Sequence, residues 1–318
     1  MRRILWLLLL MAATCEAALA QNQSINDLRR LFDYDQNAPL DIREVGVLNR
    51  NGIQIHDITY ASPKSGRVTA YLVVPAGRER FAGIVFGHWA YGTRTEFLPE
   101  AILYAQAGVV SLLVDDLGVR PAPWRRRAEG DQPQAVRDNF IQSVVDLRRG
   151  IDVLRARSDI DSNRIAYVGH SSGAHWGAIL SAVDRRLKTV VLMTGVPNES
   201  TIMMESDDPD YVNARESARA KEEMGNYLKI VSPLDAINYV PHAAPTPLLF
   251  QFARFEQYFN EAAMVRYARA GSEPKLVLWY DTGHGLNDLR PLIDRANWLQ
   301  RHIGMKSVAP LLRSSLRN

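Results

Sequence analysis

The sequence has little cysteine, little excess charge and no long apolar run beyond its first residues. Of its 318 residues only Cys15 is a cysteine, and it lies in the predicted leader, so the remaining chain is expected to have no disulfide bond and no thiol chemistry. The formal net charge of +3 gives no reason to expect a nucleic-acid partner. No His-Glu-x-x-His motif or Cys/His cluster is present, so we expect neither a metal nor another cofactor.

The N-terminus has the pattern of a secretory signal peptide. A basic start at positions 2–3 precedes an apolar run at 4–13, and Ala18-Leu19-Ala20 forms a small-x-small cleavage site. A retained membrane anchor is the alternative, but the run is short and Glu16 follows it closely. We therefore predict a signal peptide over residues 1–20, export to the periplasm or the medium, and no stable membrane anchor after cleavage.

The rest of the chain, residues 21–318, is predicted to be one α/β domain. Three strand candidates come first, and Asn51-Gly52 marks a hairpin turn between the first two. From residue 81 onward, apolar strands alternate with helices, which is typical of a mostly parallel sheet covered on both faces. The antiparallel candidates are residues 42–48, 53–60 and 68–74. The later strands are 84–86, 109–114, 165–169, 189–193, 248–252 and 275–280. The main helices are 97–107, 133–157, 261–270 and 289–303.

One segment interrupts this alternation. Residues 197–240 lie between two predicted strands and contain a charged helical piece at 211–224. Because long structureless loops are uncommon in compact domains, we predict a small helical cap insertion over the sheet. An ordinary long connection is the alternative.

The strongest functional pattern is Gly169-His170-Ser171-Ser172-Gly173, which follows a short apolar strand and precedes a helical segment. This order of strand, tight turn and helix is typical of a nucleophile elbow, in which the serine side chain stands above the sheet. The two glycines would allow the strand and the helix to approach closely. We predict that Ser171 is a nucleophile.

A serine nucleophile needs a base and an acid that orients the base. His284 lies between two glycines after the last predicted strand, where an imidazole can reach the carboxyl edge of a parallel sheet. Glu256 follows the preceding strand and is the predicted acid. The alternative acids follow the strand before that one. They are Glu199, Asp207, Asp208 and Asp210.

The same edge should carry donors for an oxyanion and a substrate pocket. The backbone N–H of Ser172 is the first predicted donor, because it directly follows the nucleophile. The second is expected from the loop after strand 84–86, where Trp89 is preferred and Ala90 and Tyr91 are its neighbours. Tyr91 and Trp124 are the predicted pocket residues.

Together these residues resemble the α/β-hydrolase superfamily, in particular the branch of dienelactone hydrolases and acetyl-xylan-esterase-like enzymes. The resemblance rests on the Gly169–Gly173 motif, on Gly283-His284-Gly285, on His88-Trp89 and on Val114-Asp115-Asp116. It implies an α/β-hydrolase fold and hydrolytic chemistry. The chain departs from the branch in two ways, since dienelactone hydrolases use cysteine as nucleophile and the usual acid is aspartate.

The predicted function is hydrolysis of small-molecule carboxylic esters through an acyl-serine intermediate. A peptidase or a thioesterase would use the same triad. A non-catalytic binding protein on a hydrolase scaffold is the alternative from another class. The sequence does not distinguish acyl-chain length, the alcohol portion or the oligomeric state.

Overall fold

The computed structural model describes residues 24–315 except positions 78, 91, 129–131, 207–208 and 217. The predicted signal peptide therefore lies outside the described residues. Within the described part of the chain, nine strands form one sheet in the order β1-β2-β3-β5-β4-β6-β7-β8-β9. The strands are β1 (Arg43–Arg50), β2 (Ile53–Ala61), β3 (Arg67–Val74), β4 (Phe81–Gly87), β5 (Val109–Val114), β6 (Ile160–His170), β7 (Thr189–Met193), β8 (Leu248–Phe255) and β9 (Lys275–Gly283).

Helices connect these strands and cover both faces of the sheet. The α-helices are α1 (Ile25–Arg30), α2 (Leu98–Gln106), α3 (Pro133–Arg155), α4 (Ser172–Val183), α5 (Glu199–Glu205), α6 (Pro209–Glu216), α7 (Ala218–Val231), α8 (Glu261–Ala270), α9 (Leu289–Ile303) and α10 (Ala309–Ser315). Helices α8 and α9 begin and end at the predicted residues.

The first three strands form the predicted antiparallel meander. Strand β1 pairs with β2, β2 with β3 and β3 with β5, all antiparallel. At the β1–β2 turn, Asn51 has φ of 53° and Gly52 has φ of 81°. Two successive positive φ values match the twist of a tight hairpin, and asparagine and glycine tolerate them better than other residues do. The hairpin predicted from Asn51-Gly52 is confirmed.

The remaining strands are parallel, and all but the edge strand β9 are largely buried between two apolar layers. On one face α1, α3, α4 and α8 pack against the sheet, and on the other α2, α9 and α10 do so. Helix α3 buries Val144, Leu147, Ile151 and Leu154, which recur at helical spacing, while Phe140 is partly buried. The predicted fold, a mostly parallel sheet with helices on both faces and antiparallel N-terminal strands, is confirmed.

The segment between β7 and β8 is largely helical. It contains α5, α6, α7 and three short 3-10 turns at Ser232–Leu234, Ala236–Asn238 and Val240–His242. The charged helical piece predicted over 211–224 is helical on both sides of position 217, in α6 and α7, and position 217 itself lies outside the described residues. Its assignment as a cap insertion within one domain stays a prediction.

Strand register brings the predicted site residues to one edge of the sheet. Gly87 at the end of β4 pairs with Gly169 of β6, two residues before Ser171. On the neighbouring strands, Phe255 of β8 pairs with Gly283 of β9. Because all four strands run in the same direction, the residues that follow them meet beyond their carboxyl ends.

Candidate active site

Ser171 occupies a strained turn between β6 and α4. Its backbone has φ of 55° and ψ of −111°, a conformation that costs a non-glycine residue on the order of 1–3 kcal/mol. Neighbouring backbone groups hold it in place. The Ser171 N–H donates to the Met193 carbonyl at 2.9 Å, and the Ser171 carbonyl accepts from the His175 N–H at 3.0 Å. The turn therefore presents one serine in a defined orientation above the strand ends.

Two glycines allow this turn to form. A Cβ atom on Gly169 would lie 2.2 Å from the Gly173 carbonyl oxygen, and one on Gly173 would lie 2.0 Å from the Gly87 carbonyl oxygen. Both obstacles are backbone atoms of packed strands and helices, so they cannot rotate away as a side chain would. The sequence-based explanation of these two glycines, close approach of strand and helix, is confirmed.

His284 and Glu256 lie side by side because each follows a strand whose last residues are paired. The Nδ1 atom of His284 is 2.7 Å from Oε2 of Glu256 and 2.9 Å from Oε1. The Glu256 side chain is only 1% exposed. Its Oε1 atom also accepts the backbone N–H groups of Gln257 at 2.9 Å and Tyr258 at 3.1 Å. Three donors therefore fix this carboxylate.

The same contacts define which nitrogen of His284 carries the proton. An ionised carboxylate only accepts hydrogen bonds, so Nδ1 is the donor and Nε2 keeps its lone pair. Nε2 is buried and has no hydrogen-bond partner among the described residues. His284 and Ser171 line one cavity of about 210 Å³. The imidazole packs edge-on against Tyr258, with ring centroids 4.8 Å apart. These contacts leave an unpaired basic nitrogen beside the serine's cavity.

The loop after β4 is held by His88 and Glu96. His88 Nδ1 lies 2.6 Å from the Trp89 carbonyl oxygen, and His88 Nε2 accepts the Asp116 N–H at 3.0 Å. The Trp89 N–H donates to Oε2 of Glu96 at 2.9 Å. This hydrogen bond contradicts the prediction that Trp89 supplies the second oxyanion donor, because its N–H is already bound to a carboxylate. Ala90, the next residue, lines the cavity that holds Ser171.

Glu96 also contacts His170, a feature that sequence reasoning missed. Oε1 of Glu96 lies 2.5 Å from His170 Nδ1, and His170 Nε2 lies 3.0 Å from the His284 carbonyl oxygen. Nothing in the spacing of Glu96 and His170 along the chain indicates that they are partners, since they are joined only when β4 and β6 pair.

The wall of the cavity opposite the base comes from α4 and α5. His175 on α4 donates from Nε2 to the Leu234 carbonyl at 2.8 Å, and burial lowers its pKa to about 4, so its ring is neutral near pH 7. Glu199 at the start of α5 lies 3.7 Å from His175 Nδ1, and burial raises its pKa. Glu199 thus lies near His175, whereas Glu256 contacts His284. Three more carboxylates were candidates for the acid, and Asp207, Asp208 and the side chain of Asp210 lie outside the described residues.

Of the two predicted aromatic pocket residues, the structure describes only Trp124, and it does not lie at the serine. The Trp124 ring packs against Gly66, with its Cδ1 atom 3.4 Å from where a Cβ atom would stand, and Trp124 is not among the described residues that line the cavity. Tyr91 lies outside the described residues. Besides Trp89, the aromatic part of the wall comes from Tyr211, Tyr258 and Phe259. Sequence reasoning could not assign them, because they belong to two connections that meet only in the folded chain.

The described residues also bear on cofactors and membranes. No group of three or more histidine, cysteine, aspartate or glutamate side chains in them is arranged to hold a metal ion. Among the helices of this part of the chain, none is both long and apolar enough to cross a bilayer.

Comparisons with known proteins agree with this architecture. The structure resembles an acetyl xylan esterase from Paenibacillus sp. R4, with a TM-score of 0.71, 18% identity, and coverage of 89% of this chain and 96% of that one. An acetyl xylan esterase from Thermoanaerobacterium sp. JW/SL YS485 gives 0.70 at 14% identity, covering 86% and 92%. An S-formylglutathione hydrolase from Agrobacterium tumefaciens gives 0.60 at 12% identity, covering 82% and 100%. At these identities the likeness shows the fold alone.

Sequence comparison is more specific. Among curated proteins, none matches the chain. The sequence model described as "Acetyl xylan esterase (AXE1)" matches residues 26–238, which span the nucleophile elbow and the loop after β4. The protein is accordingly a carboxylic ester hydrolase with the α/β-hydrolase fold, and small-molecule esters are its class of substrate. The chain belongs to the acetyl xylan esterase (AXE1) family.

Proposed function

We propose that Ser171, His284 and Glu256 form a catalytic triad that hydrolyses esters through an acyl-serine intermediate. The observation that carries the proposal is the pairing of His284 Nδ1 with a buried carboxylate at 2.7 Å, which leaves Nε2 without a partner in a residue that lines the same cavity as Ser171. A serine hydroxyl attacks only when a base removes its proton. A neutral imidazole with a free nitrogen beside that cavity meets this requirement.

In the first half of the reaction, Ser171 Oγ attacks the ester carbonyl carbon and its proton passes to His284 Nε2. The imidazolium formed is stabilised by Glu256, which stays ionised. Collapse of the tetrahedral intermediate breaks the bond to the alkoxy oxygen, and the alcohol leaves with the proton from Nε2. In the second half, water loses a proton to Nε2 and attacks the acyl-serine. Collapse of the second tetrahedral intermediate releases the carboxylic acid, and Nε2 returns its proton to Ser171 Oγ.

Two backbone N–H groups would stabilise the oxyanion in both halves. We assign the first to Ser172, at the start of α4, where the helix dipole also favours negative charge. We assign the second to the N–H of Ala90, which borders the cavity, rather than to that of Trp89, because the Trp89 N–H is bound to Glu96. In this assignment Glu96 fixes the backbone of Trp89, the residue next to the donor. Loss of one such donor usually lowers kcat by about 10²–10³.

The substrate that fits is an ester with a short acyl group and a hydroxylated alcohol. The cavity of about 210 Å³ has room for an acetyl group but not for a long acyl chain together with the alcohol. Its far wall carries polar groups of Glu199 and His175, which lie 3.7 Å apart and suit hydroxyl groups. By its family, an acetylated xylan fragment is the natural candidate. The predicted export would bring the enzyme to such a substrate.

Labelling by a fluorophosphonate probe tests the nucleophile. The probe should modify Ser171 in the folded protein and should fail to label Ser171→Ala. Ser181→Ala is a matched control on the same helix, because the Ser181 hydroxyl is bonded to the Ala178 carbonyl and is remote from the cavity. Labelling of wild type and Ser171→Ala to the same extent would exclude Ser171 as the nucleophile.

A substrate panel tests the specificity. We expect kcat/KM to fall steeply from p-nitrophenyl acetate to p-nitrophenyl octanoate, and acetylated xylo-oligosaccharides to release acetate. A matched acetyl thioester and an acetylated peptide amide distinguish thioesterase and peptidase activity from ester hydrolysis. Higher kcat/KM for the octanoate than for the acetate would contradict the short-acyl assignment.

A further inference from the structure

His170, the residue directly before the nucleophile, is enclosed by acceptors on both sides of its ring. Nδ1 lies 2.5 Å from Oε1 of Glu96 and Nε2 lies 3.0 Å from the carbonyl oxygen of His284. The His170 side chain is 7% exposed and that of Glu96 is 20% exposed. An ionised carboxylate and a carbonyl only accept, so beside an ionised Glu96 each nitrogen must carry a hydrogen to make its bond, whereas a protonated Glu96 would donate to Nδ1 of a neutral ring. Beside an ionised Glu96, a neutral ring has only one N–H and would leave a lone pair facing an oxygen.

His88, which follows the adjacent strand β4, has a different set of partners. Its Nδ1 faces a carbonyl oxygen, but its Nε2 accepts the backbone N–H of Asp116. One donor and one acceptor are what a neutral imidazole offers. The two histidines thus have different partner sets within the same site, and beside an ionised Glu96 only that of His170 calls for two ring protons.

The pair of Glu96 and His170 joins three loops of the site. The second oxygen of Glu96 holds the Trp89 N–H at 2.9 Å, beside Ala90 in the loop after β4. His170 belongs to the strand that leads into the nucleophile turn. His170 Nε2 contacts the carbonyl oxygen of His284, which also accepts a hydrogen bond from Thr194 Oγ1 at 3.0 Å. The loop after β4 and the loop that carries His284 are therefore linked through the Glu96–His170 contact.

We propose that His170 is held as a doubly protonated imidazolium by Glu96, and that this ion pair positions the base loop and the oxyanion loop around Ser171. The inference rests on the proposed roles of Ser171 and His284. Neither member of the pair touches the reacting atoms, so both are positioning residues. Because the positive ring is matched by the Glu96 carboxylate, the pair adds no net charge beside the His284 ring, whose centroid is 5.2 Å away.

Nitrogen NMR of the intact, 15N-labelled resting enzyme tests the protonation directly. In neutral buffer His170 should show two protonated ring nitrogens, while His88 should show one. Assignment uses the loss of a signal in His170→Asn and in His88→Asn. A neutral His170 ring in the folded wild type would overturn the inference, whatever the activity of the variants.

Replacement of Glu96 gives a matched pair for kinetics. In Glu96→Gln the amide oxygen can keep the Trp89 N–H, and the amide NH₂ can donate to Nδ1 of a neutral His170, which still donates to His284 through Nε2. All three contacts survive without the charge. Glu96→Leu loses two of them. We expect kcat to fall less than tenfold in Glu96→Gln and on the order of 10²-fold in Glu96→Leu, because small displacements of reacting groups are that costly.

The NMR spectrum of Glu96→Gln should show His170 with one protonated nitrogen. If Glu96→Leu is as active as Glu96→Gln with folded spectra for both, the pair has no positioning role and the inference fails. Failure of the proposed function would be seen separately, as a lack of fluorophosphonate labelling at Ser171 in the wild type. His242→Asn, an exposed histidine, controls for loss of an imidazole.

Discussion

Replacing Glu256 with glutamine should abolish most activity through a change of tautomer. In the structure, Oε1 of Glu256 accepts two backbone N–H groups and Oε2 lies 2.7 Å from His284 Nδ1. The glutamine carbonyl would keep the two backbone hydrogen bonds, so its NH₂ group would face Nδ1. His284 would then have to accept at Nδ1 and carry its proton on Nε2. In that form it cannot take the proton of Ser171.

The magnitude follows from this geometry. An amide in place of the orienting carboxylate of a serine triad lowers kcat by about 10⁴, which corresponds to about 5.5 kcal/mol of transition-state stabilisation. We expect a loss of this order for Glu256→Gln, with little change in KM. Stability should change little, because a buried neutral amide replaces a buried carboxylate of nearly the same shape.

The assay is the initial rate of p-nitrophenyl acetate hydrolysis over a range of substrate concentrations, with circular dichroism to verify folding. Asp281→Asn is the matched control, since this carboxylate lies three residues before His284, is 80% exposed and pairs with Arg254 at 3.2 Å. It should stay within about twofold of the wild type, as expected for an exposed ion pair. If folded Glu256→Gln retains more than a tenth of wild-type kcat, Glu256 is not the orienting acid.

Three further predictions concern folding and pH. Gly173→Ala should lower both kcat and the urea midpoint of unfolding, because the new Cβ atom would meet the Gly87 carbonyl oxygen at 2.0 Å; an unchanged midpoint would contradict the close approach. Burial raises the pKa of Asp235 from 3.8 to about 7, so the stability linked to its protonation is present below pH 4 and is lost as pH rises through about 7. The free energy of unfolding of wild type relative to Asp235→Asn should fall across that range by at most about 4 kcal/mol, and a constant difference would refute the assignment. Arg295→Met should lower the free energy of unfolding, measured with denaturant, by about 3–5 kcal/mol, because it leaves the buried Glu100 carboxylate unpaired. The two side chains are only 4% and 8% exposed and meet at 2.6 Å, and the double variant Arg295→Met, Glu100→Met should recover much of that loss.

Local patterns were enough to predict the elements and the order of the fold. Strands such as Val109–Val114 and helices such as Leu289–Ile303 have the observed bounds because apolar runs and helical spacing are properties of neighbouring residues. The hairpin at Asn51-Gly52 is local in the same sense. The helical segment between β7 and β8 was less well predicted, since helix ends there depend on packing over the sheet edge.

The chemistry of the site was predictable only in part. The catalytic roles of Ser171 and His284 stay predictions, but both residues line one cavity, and each has a local signal in the sequence, a glycine-flanked turn after a strand. The prediction for the Trp89 N–H was wrong, because its partner Glu96 is seven residues away in a loop whose path the sequence does not reveal. Trp124 was assigned to the pocket on residue type alone, and its ring packs elsewhere.

The sequence by itself determined the fold class, the strained serine turn and the strand ends after which partners had to come. These features depend on backbone conformation and on apolar periodicity over a few residues. Only the tertiary structure decided that Glu256 contacts His284, that Glu96 holds both Trp89 and His170, and that Glu199 and His175 form the far wall of the cavity. The Glu256–His284 and Glu96–His170 contacts join segments that are far apart in the chain, and a hydrogen bond between distant segments leaves no periodic trace in the sequence. The Glu96–Trp89 bond depends on the path of the loop after β4.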